Sequence, residues 1–208
     1  MQEAIVGSWA QESNFLSAAI LKSLRDLNHR FLDLAAARSC DWAACAGGST
    51  LRLAGQVAPL SAAQRAAAAG CPYALFDLRF QDDAHWRSRL RNLGAWRVAD
   101  ESVIDDDTVS FVRLALFYAW HVASSTRMAP RLLLGMNDST ATAFRRITVN
   151  QLPELVATES PNLSARWSDC IAFWSALTGT ASRADPAALR RVQLYGLQLA
   201  VAARLPLT

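Results

Sequence analysis

The sequence is poor in lysine, histidine and cysteine. Lys22 is the single lysine among 21 basic residues, and there are only three histidines and four cysteines. Cys40 and Cys45 have no second Cys or His pair placed to complete a zinc site. No histidine has a carboxylate or cysteine in a recurring catalytic arrangement, and GGST at 47–50 lacks the lysine of a phosphate-binding loop. We therefore expect no metal, no cofactor and no enzymatic activity.

Charge is also scarce. The net charge is +3, charged residues make up 19% of the chain and hydrophobic residues 52%, which is typical of a globular protein. The excess of arginine over lysine would suit bidentate recognition of phosphate or carboxylate groups. A GC-rich genome explains the same excess together with the abundance of alanine. The weakly basic balance is thus compatible with nucleic-acid binding but does not indicate it.

Long uninterrupted hydrophobic runs are absent. The most apolar stretch, VSFVRLALFYAWHVASS at 109–125, contains Arg113 and His121 and predicts a buried helix rather than a membrane span. No basic segment followed by an apolar run opens the chain, so we expect no secretory signal. These patterns predict a cytoplasmic protein without membrane contact, whose cysteines are inert and mostly buried.

Helical periodicity is what the sequence does contain. Residues 14–38 repeat apolar side chains at the i, i+3, i+4 spacing, and neither Gly nor Pro interrupts them. Caps, prolines and periodicity predict further helices at 61–69, 72–80, about 108–125, 139–147, 149–157, from 166 onward, and 185–205. The predicted fold class is all-α.

A sequence template occurs twice. Arg-aromatic-x-Asp-x-x-x-aromatic-x-x-x-Leu fits residues 79–90 and 166–177, which are offset by 87. Flanking residues repeat as well: Leu53 and Gly55 match Leu133 and Gly135, and Leu75 and Leu78 match Leu152 and Leu155. We predict two tandem helical units with helix-turn-helix-like cores, related by pseudo-two-fold symmetry. Residues 1–96 form the first unit, 97–107 an acidic linker, and 108–208 the second unit with a C-terminal packing helix.

The clearest candidate for ligand contact follows Gly135. A glycine turn before a short helix outlines a helix-turn-helix motif. In that interpretation Thr140 and Thr142 would reach phosphates or base edges, and Arg145 and Arg146 would neutralise phosphates. The same outline is typical of a helical hairpin that only packs. In the first unit the equivalent helix, SAAQRAAAA, is mostly alanine, which favours packing there.

Two Arg–Asp pairs lie within the repeated template. Arg79 with Asp82, and Arg166 with Asp169, have the i, i+3 spacing of an ion pair on one helix face. We interpret both pairs as structural because each copy keeps the acid with the base, although Arg166 facing DNA is an alternative. A pocket between the units would be a further candidate site, lined by Trp120, Trp167 and Trp174, with no ligand indicated.

Several segments resemble a known family. LRDLNHRFLDLAA at 24–36, LFDLRFQD at 75–82 and RLLLGMNDSTATAFRRITVNQLPELVATES at 131–160 resemble FlhD, a subunit of the bacterial flagellar master regulator. FlhD acts with FlhC as a DNA-binding transcription activator, so the resemblance implies DNA and an FlhC-like protein, or a second copy, as partners. The family has one unit that dimerises, whereas this chain has two, which implies a built-in pseudo-dimer. The cysteine-rich zinc cluster of FlhC is absent.

Two functional hypotheses follow. The first is a DNA-binding transcriptional regulator or co-regulator of this helical family. The second is a non-enzymatic adaptor of a secretion or motility system that has kept the fold and lost DNA contact. The small net charge and the alanine-rich first unit favour the adaptor, while the pair Arg145 and Arg146 favours the regulator. The sequence indicates no small-molecule effector.

Overall fold

The computed structural model describes residues 17–37, 48–93, 105–125 and 127–202. In the first half these form α1 (Ala18–Ala37), α2 (Gly48–Val57), α3 (Ala62–Ala68), β1 (Phe76–Asp77) and α4 (Asp83–Arg91). The second half forms α5 (Asp106–Ser125), a π-helical turn (Pro130–Leu134), α6 (Asp138–Phe144), a 3-10 turn (Val149–Gln151), α7 (Leu152–Glu159), a second 3-10 turn (Ser160–Asn162), β2 (Ser164–Ala165), α8 (Ile171–Ser182) and α9 (Pro186–Ala202). The all-α prediction is confirmed. Among the helices in these ranges, none combines the length and apolar character needed to cross a membrane.

The two long helices, α1 and α5, pack against each other and form the centre of the core. Each has 20 residues, and α5 begins 88 residues after α1. The rings of Phe31 and Phe111 lie 5.8 Å apart, and that of Phe76 lies 5.1 Å from Phe111. At the periphery the Tyr118 hydroxyl donates to the Ile20 carbonyl at 3.2 Å. Aromatic rings from both halves of the chain therefore fill one continuous core.

Local capping signals set most helix starts. Ser61 and Gln64 form a capping box at α3. Asp105 Oδ1 accepts from the Thr108 N–H at the start of α5, and Asp185 Oδ1 accepts from the Ala188 N–H at the start of α9, both at 2.9 Å. These caps satisfy N–H groups that have no partner within the helix. Residues 97–104 of the predicted linker, Cys40 and Cys45 lie outside the described residues.

The segment 72–80 is not the predicted helix. It is extended, and β1 within it pairs antiparallel with β2, placing Phe76 opposite Ala165 and Asp77 opposite Ser164. The Ala74 N–H donates to the Leu133 carbonyl at 2.7 Å. Partners distant in sequence thus satisfy backbone groups that a helix would have satisfied internally, and these tertiary bonds override the local helical pattern.

Asn28, buried on α1, secures this extended segment. Its Nδ2 lies 2.9 Å from the Tyr73 carbonyl, 3.3 Å from that of Ala69 and 3.4 Å from that of Cys71. Its Oδ1 accepts from the Leu75 N–H at 2.9 Å. One amide side chain therefore satisfies backbone groups over seven residues that would otherwise be buried without partners.

The two halves exchange contacts. The predicted repeat would match α1, α3, β1 and α4 with α5, α6, β2 and α8. Helix α3 packs against α8, and α4 packs against α6, so both contacts cross between the halves. The strand pair and the α1–α5 pair also join the two halves.

The structure corrects the predicted register of the repeat. Left-handed residues precede α4 and α8, Arg79 at φ 57° and Trp167 at φ 52°, and they lie 88 residues apart, whereas the sequence template is offset by 87. The second half has the helix α7 between α6 and β2, whereas the described residues between α3 and β1 form no helix. Leu152 and Leu155 lie in that helix and are not equivalent to Leu75 and Leu78, which flank β1 in extended chain.

We expect Asn28→Ala to lower the free energy of unfolding by about 2–4 kcal/mol, because it leaves several buried backbone groups unpaired. Asn150→Ala, at an exposed position, is the matched control and should change stability by less than about 0.5 kcal/mol. Urea unfolding followed by circular dichroism measures both. Equal effects of the two substitutions would contradict the role assigned to Asn28.

Candidate functional site

A glycine in the left-handed backbone conformation forms the turn that sets the direction of the candidate recognition helix α6. Gly135, at φ 75°, ends the π-helical turn, and its N–H donates to the Pro130 carbonyl. A Cβ at this position would lie 2.6 Å from Nη2 of Arg166. The predicted equivalent, Gly55, lies inside α2, with open space where a Cβ would stand. The glycine turn predicted for the second half is present, and the first half has no such turn at Gly55.

The first turn of α6 is hydrogen-bonded to the other half of the chain. Asn137 caps the helix, with Oδ1 accepting from the Thr140 N–H at 2.7 Å, and its Nδ2 donates to the Gln81 carbonyl at 3.0 Å. The Ser139 hydroxyl hydrogen-bonds to the Asp83 carboxylate at the start of α4. Asp138 and Ser139 are exposed, but a helix that read bases with its first turn would need the Asn137 and Ser139 side chains free of these bonds.

Packing against α4 also buries one face of α6. The ring of Phe144 lies 4.7 Å from that of Trp86 and 6.0 Å from that of Phe80. Thr140 is fully buried on this face. Its predicted contact with phosphates or base edges is therefore wrong for this structure, because its side chain does not reach solvent.

The remaining predicted residues are exposed. Thr142 faces solvent, although its hydroxyl donates to the Asp138 carbonyl at 2.7 Å. Helix α6 ends at Phe144, so Arg145 is its C-cap and Arg146 lies in the following turn, both exposed. Of the four residues predicted to contact DNA, three are therefore exposed and one is buried.

Exposed arginines also occur on the neighbouring helix. Sequence reasoning missed Arg87 and Arg91 on α4, the helix that packs against α6. Arg87 forms an ion pair with Asp83, and Arg91 Nε donates to the Arg87 carbonyl at 3.3 Å. Their pattern in RSRLR was visible in the sequence, but only the fold brings α4 beside α6.

The two Arg–Asp pairs of the template have different surroundings. Arg79 and Asp82 form the predicted ion pair, with Nη2 and Oδ2 2.5 Å apart, but in the turn that enters α4 and not on a helix face. Asp82 also caps α4 by accepting from the His85 N–H at 2.9 Å. These hydrogen bonds to His85 and Arg79 lower the pKa of the Asp82 carboxyl.

Arg166 is buried, so the alternative that it faces DNA is wrong. Its side chain is 4% exposed, and Nη1 donates to the Leu133 carbonyl at 3.1 Å. The guanidinium carbon lies 4.5 Å from the centroid of the Trp167 ring, while Asp169 is exposed in the turn before α8. Burial raises the pKa of the nearby Asp77, and the positive charge of Arg166 opposes that shift.

A buried carboxylate joins α4 to α7. Glu159 is fully buried, and its Oε2 lies 2.8 Å from His85 Nε2 and 2.9 Å from Asn162 Nδ2. Arg89 Nε lies 2.9 Å from Oε1. Because a buried carboxylate is costly unless paired and hydrogen-bonded, this cluster ties the two halves together.

An open groove of about 450 Å³ lies between α1 and α5. Asp26 and Arg30 line it from α1, and α5 contributes Phe117, Trp120 and His121. The groove combines aromatic rings with charged groups of both signs. Within the described residues, no group of three or more His, Cys, Asp or Glu side chains is placed to hold a metal ion.

The pocket of three tryptophans is not formed. Trp120 lines the groove, and its Nε1 donates to the Ile147 carbonyl at 2.9 Å. Trp167 and Trp174 instead pack around Phe173, with ring centroids 5.2 and 5.4 Å away. Two of the predicted rings therefore belong to the core around α8.

Comparison of the sequence with models of protein families, with curated proteins and with solved structures gives no match in any of the three. The functional argument therefore depends on the geometry of the chain. Two features of that geometry bear on it: the exposed basic end of α6, and the exchange of helices between the halves.

Replacing Gly135 and Gly55 by alanine should change the free energy of unfolding in opposite directions. Gly135→Ala forces a left-handed residue and a contact with Arg166, so we expect a loss of at least about 1 kcal/mol in the free energy of unfolding. Gly55→Ala lies in open space within a helix and should add about 0.4–1 kcal/mol. Thermal unfolding of both variants tests this, and a destabilised Gly55→Ala would contradict it.

Removing the charge of the buried Glu159 carboxylate should lower the free energy of unfolding far more than removing the charge of an exposed carboxylate. Glu159→Gln removes the buried negative charge that faces Arg89 and His85, and we expect a loss of about 3–5 kcal/mol in the free energy of unfolding. Asp138→Asn is the control, because that carboxylate is 81% exposed and 3.8 Å from Arg131 Nη1; it should cost less than about 1 kcal/mol. Chemical unfolding gives both values, and losses of similar size would show that Glu159 does not tie the halves together.

Proposed function

We propose that this chain is a DNA-binding transcriptional regulator or co-regulator, built as an intramolecular pseudo-dimer of two FlhD-like units. The observation that carries the proposal is the exchange of helices, with α3 against α8 and α6 against α4. Corresponding elements that cross between halves are what a fused, intertwined dimer would have. The family resemblance adds an FlhC-like protein as the partner.

The proposed DNA surface is the exposed end of α6. Arg145 and Arg146 offer two guanidinium groups to phosphates, and Thr142 lies exposed one turn earlier. The first turn of α6 is unsuited to reading base edges, because its Asn137 and Ser139 side chains already bond to the other half of the chain. In this proposal the chain therefore positions itself on the DNA backbone, and a partner supplies most of the sequence specificity.

The alternative function is a non-enzymatic adaptor of a secretion or motility system. Exposed apolar side chains on α9 favour it, since Leu194 and Val201 are 60% and 56% exposed. An adaptor with this surface would bind a protein and show no salt-dependent affinity for DNA. The two functions are thus distinguished by one DNA-binding measurement.

Fluorescence anisotropy with duplex DNA from upstream of its own gene, measured over a range of salt, tests the regulator. Each phosphate contact contributes about 0.9 to the slope of log affinity against log salt, so Arg145→Gln with Arg146→Gln should lower that slope by about 1.8. The double variant Arg190→Gln with Arg191→Gln on α9 removes the same charge and should leave the slope unchanged.

Two results would overturn the DNA role. One is the absence of salt-sensitive binding by the wild-type chain, both alone and with the protein encoded beside it. The other is an equal loss of affinity in both double variants, because it would assign the binding to net charge rather than to the end of α6.

A further inference from the structure

One carboxylate joins an exposed arginine of α4 to the exposed side of α6. Asp83, in the first turn of α4, pairs with Arg87 through Oδ2 and accepts from the Ser139 hydroxyl through Oδ1. Ser139 is exposed, and the side chain of Arg87 is 65% exposed. Because both partners bind the same carboxylate, the guanidinium of Arg87 and the hydroxyl of Ser139 lie beside each other on the surface.

A second arginine follows on the same face of α4. Arg91 lies one helical turn after Arg87, and it is exposed as well. Both side chains run back along the helix, since Arg87 Nε donates to the Asp83 carbonyl at 3.4 Å and Arg91 Nε to the Arg87 carbonyl at 3.3 Å. The two guanidinium groups therefore form a row along α4 that begins beside Ser139.

A second row of exposed residues follows Ser139 along α6. Thr142 and Arg146 lie three and seven residues after Ser139, which is the spacing of one helix face, and both are exposed. The Arg146 N–H donates to the Ala143 carbonyl at 3.0 Å, so the chain keeps its helical turn beyond Phe144. From Ser139 to Arg146 this row is about 10 Å long.

The two rows share one surface because they meet at the contact between Asp83 and Ser139. On the buried side of the same two helices, the rings of Trp86 and Phe144 lie 4.7 Å apart. This packing holds α4 and α6 in a fixed relation. The arginines of the two rows are therefore positioned before any ligand binds, which lowers the cost of ordering them.

Charges of both signs occur on this surface, but they lie at different ends of it. Segments 83–91 and 138–146 contain two acidic residues, Asp83 and Asp138, and both lie in the first turn of a helix. Asp83 is bound to Arg87, and Asp138 Oδ2 lies 3.8 Å from Arg131 Nη1. The exposed arginines come later along each helix, so positive charge predominates away from the two helix starts.

We propose that Arg87 and Arg91, here called the α4 pair, bind DNA phosphates together with Arg145 and Arg146, the α6 pair. The inference rests on the proposed DNA-binding function and extends its site to the first half of the chain. Each strand of a duplex carries one phosphate per 3.4 Å of helix axis, so the 10 Å row along α6 faces about three phosphates. Both halves then hold the same duplex.

The salt dependence of DNA binding counts the added contacts. The probe is the fluorescent duplex from upstream of the gene, and anisotropy gives its affinity for the full chain over a range of salt. Arg87→Gln with Arg91→Gln should lower the slope of log affinity against log salt by about 1.8, and the two pairs replaced together should lower it by about 3.6. Arg87→Lys with Arg91→Lys keeps both charges and should keep the wild-type slope within about 0.5.

The carboxylate that pairs with Arg87 gives a change of opposite sign. Asp83→Asn removes the charge that competes with phosphate for Arg87, and its amide oxygen can still accept from Ser139. We expect DNA binding to become about two- to fivefold tighter. Asp169→Asn, exposed in the turn before α8, is the matched control and should change affinity by less than about 1.5-fold. All four positions tolerate a polar side chain, and circular dichroism verifies that each variant folds.

The outcomes separate this inference from the proposed function. A slope that falls on replacing the α6 pair but not the α4 pair would overturn the contribution of α4 alone. The absence of salt-sensitive binding by the wild-type chain would overturn both. Poly-glutamate that displaces the duplex as well as unlabelled duplex does would also overturn the inference, because the surface would then select an acidic protein and not phosphates.

Discussion

The packing of α1 against α5 is the constraint on which the other elements depend. Two 20-residue helices bury their apolar faces on each other, and the strand pair closes over the aromatic rings between them. Asn28 on α1 then fixes the extended segment that leads to β1, so the position of the sheet follows from the position of the helix. The buried apolar area drives the association of the helices, and the hydrogen bonds of Asn28 fix the position of the extended segment along α1.

Buried charged groups lie where the halves meet. Glu159 reaches across from α7 to His85 and Arg89 on α4, and Arg166 donates to the Leu133 carbonyl beside Gly135. A buried charged group is tolerated only where it is paired and hydrogen-bonded. Arrangements of the two halves that broke these pairs would therefore be higher in free energy. Packing against α4 also buries Phe144 of α6, while Arg145 and Arg146 stay exposed. The exposed basic surface is thus a consequence of how the core is closed.

The chain presents two surfaces of different chemistry. The end of α6 is basic and suits phosphate groups, whereas α9 exposes apolar side chains. A regulator that positions itself on DNA through backbone contacts needs a partner for specificity, and a second surface away from the first allows both contacts at once. The proposed DNA contact and a protein contact through α9 are therefore compatible within one protein.

The sequence by itself determined the helical class and most helix starts. Caps such as Ser61, Asp105 and Asn137 act within three or four residues, so local reasoning finds them. Only the tertiary structure decided that 72–80 is extended, that Thr140 and Arg166 are buried, and that α4 covers α6. Those outcomes depend on hydrogen bonds and packing between residues tens of positions apart, and a helical pattern carries no information about which distant group will satisfy a backbone N–H or cover a side chain.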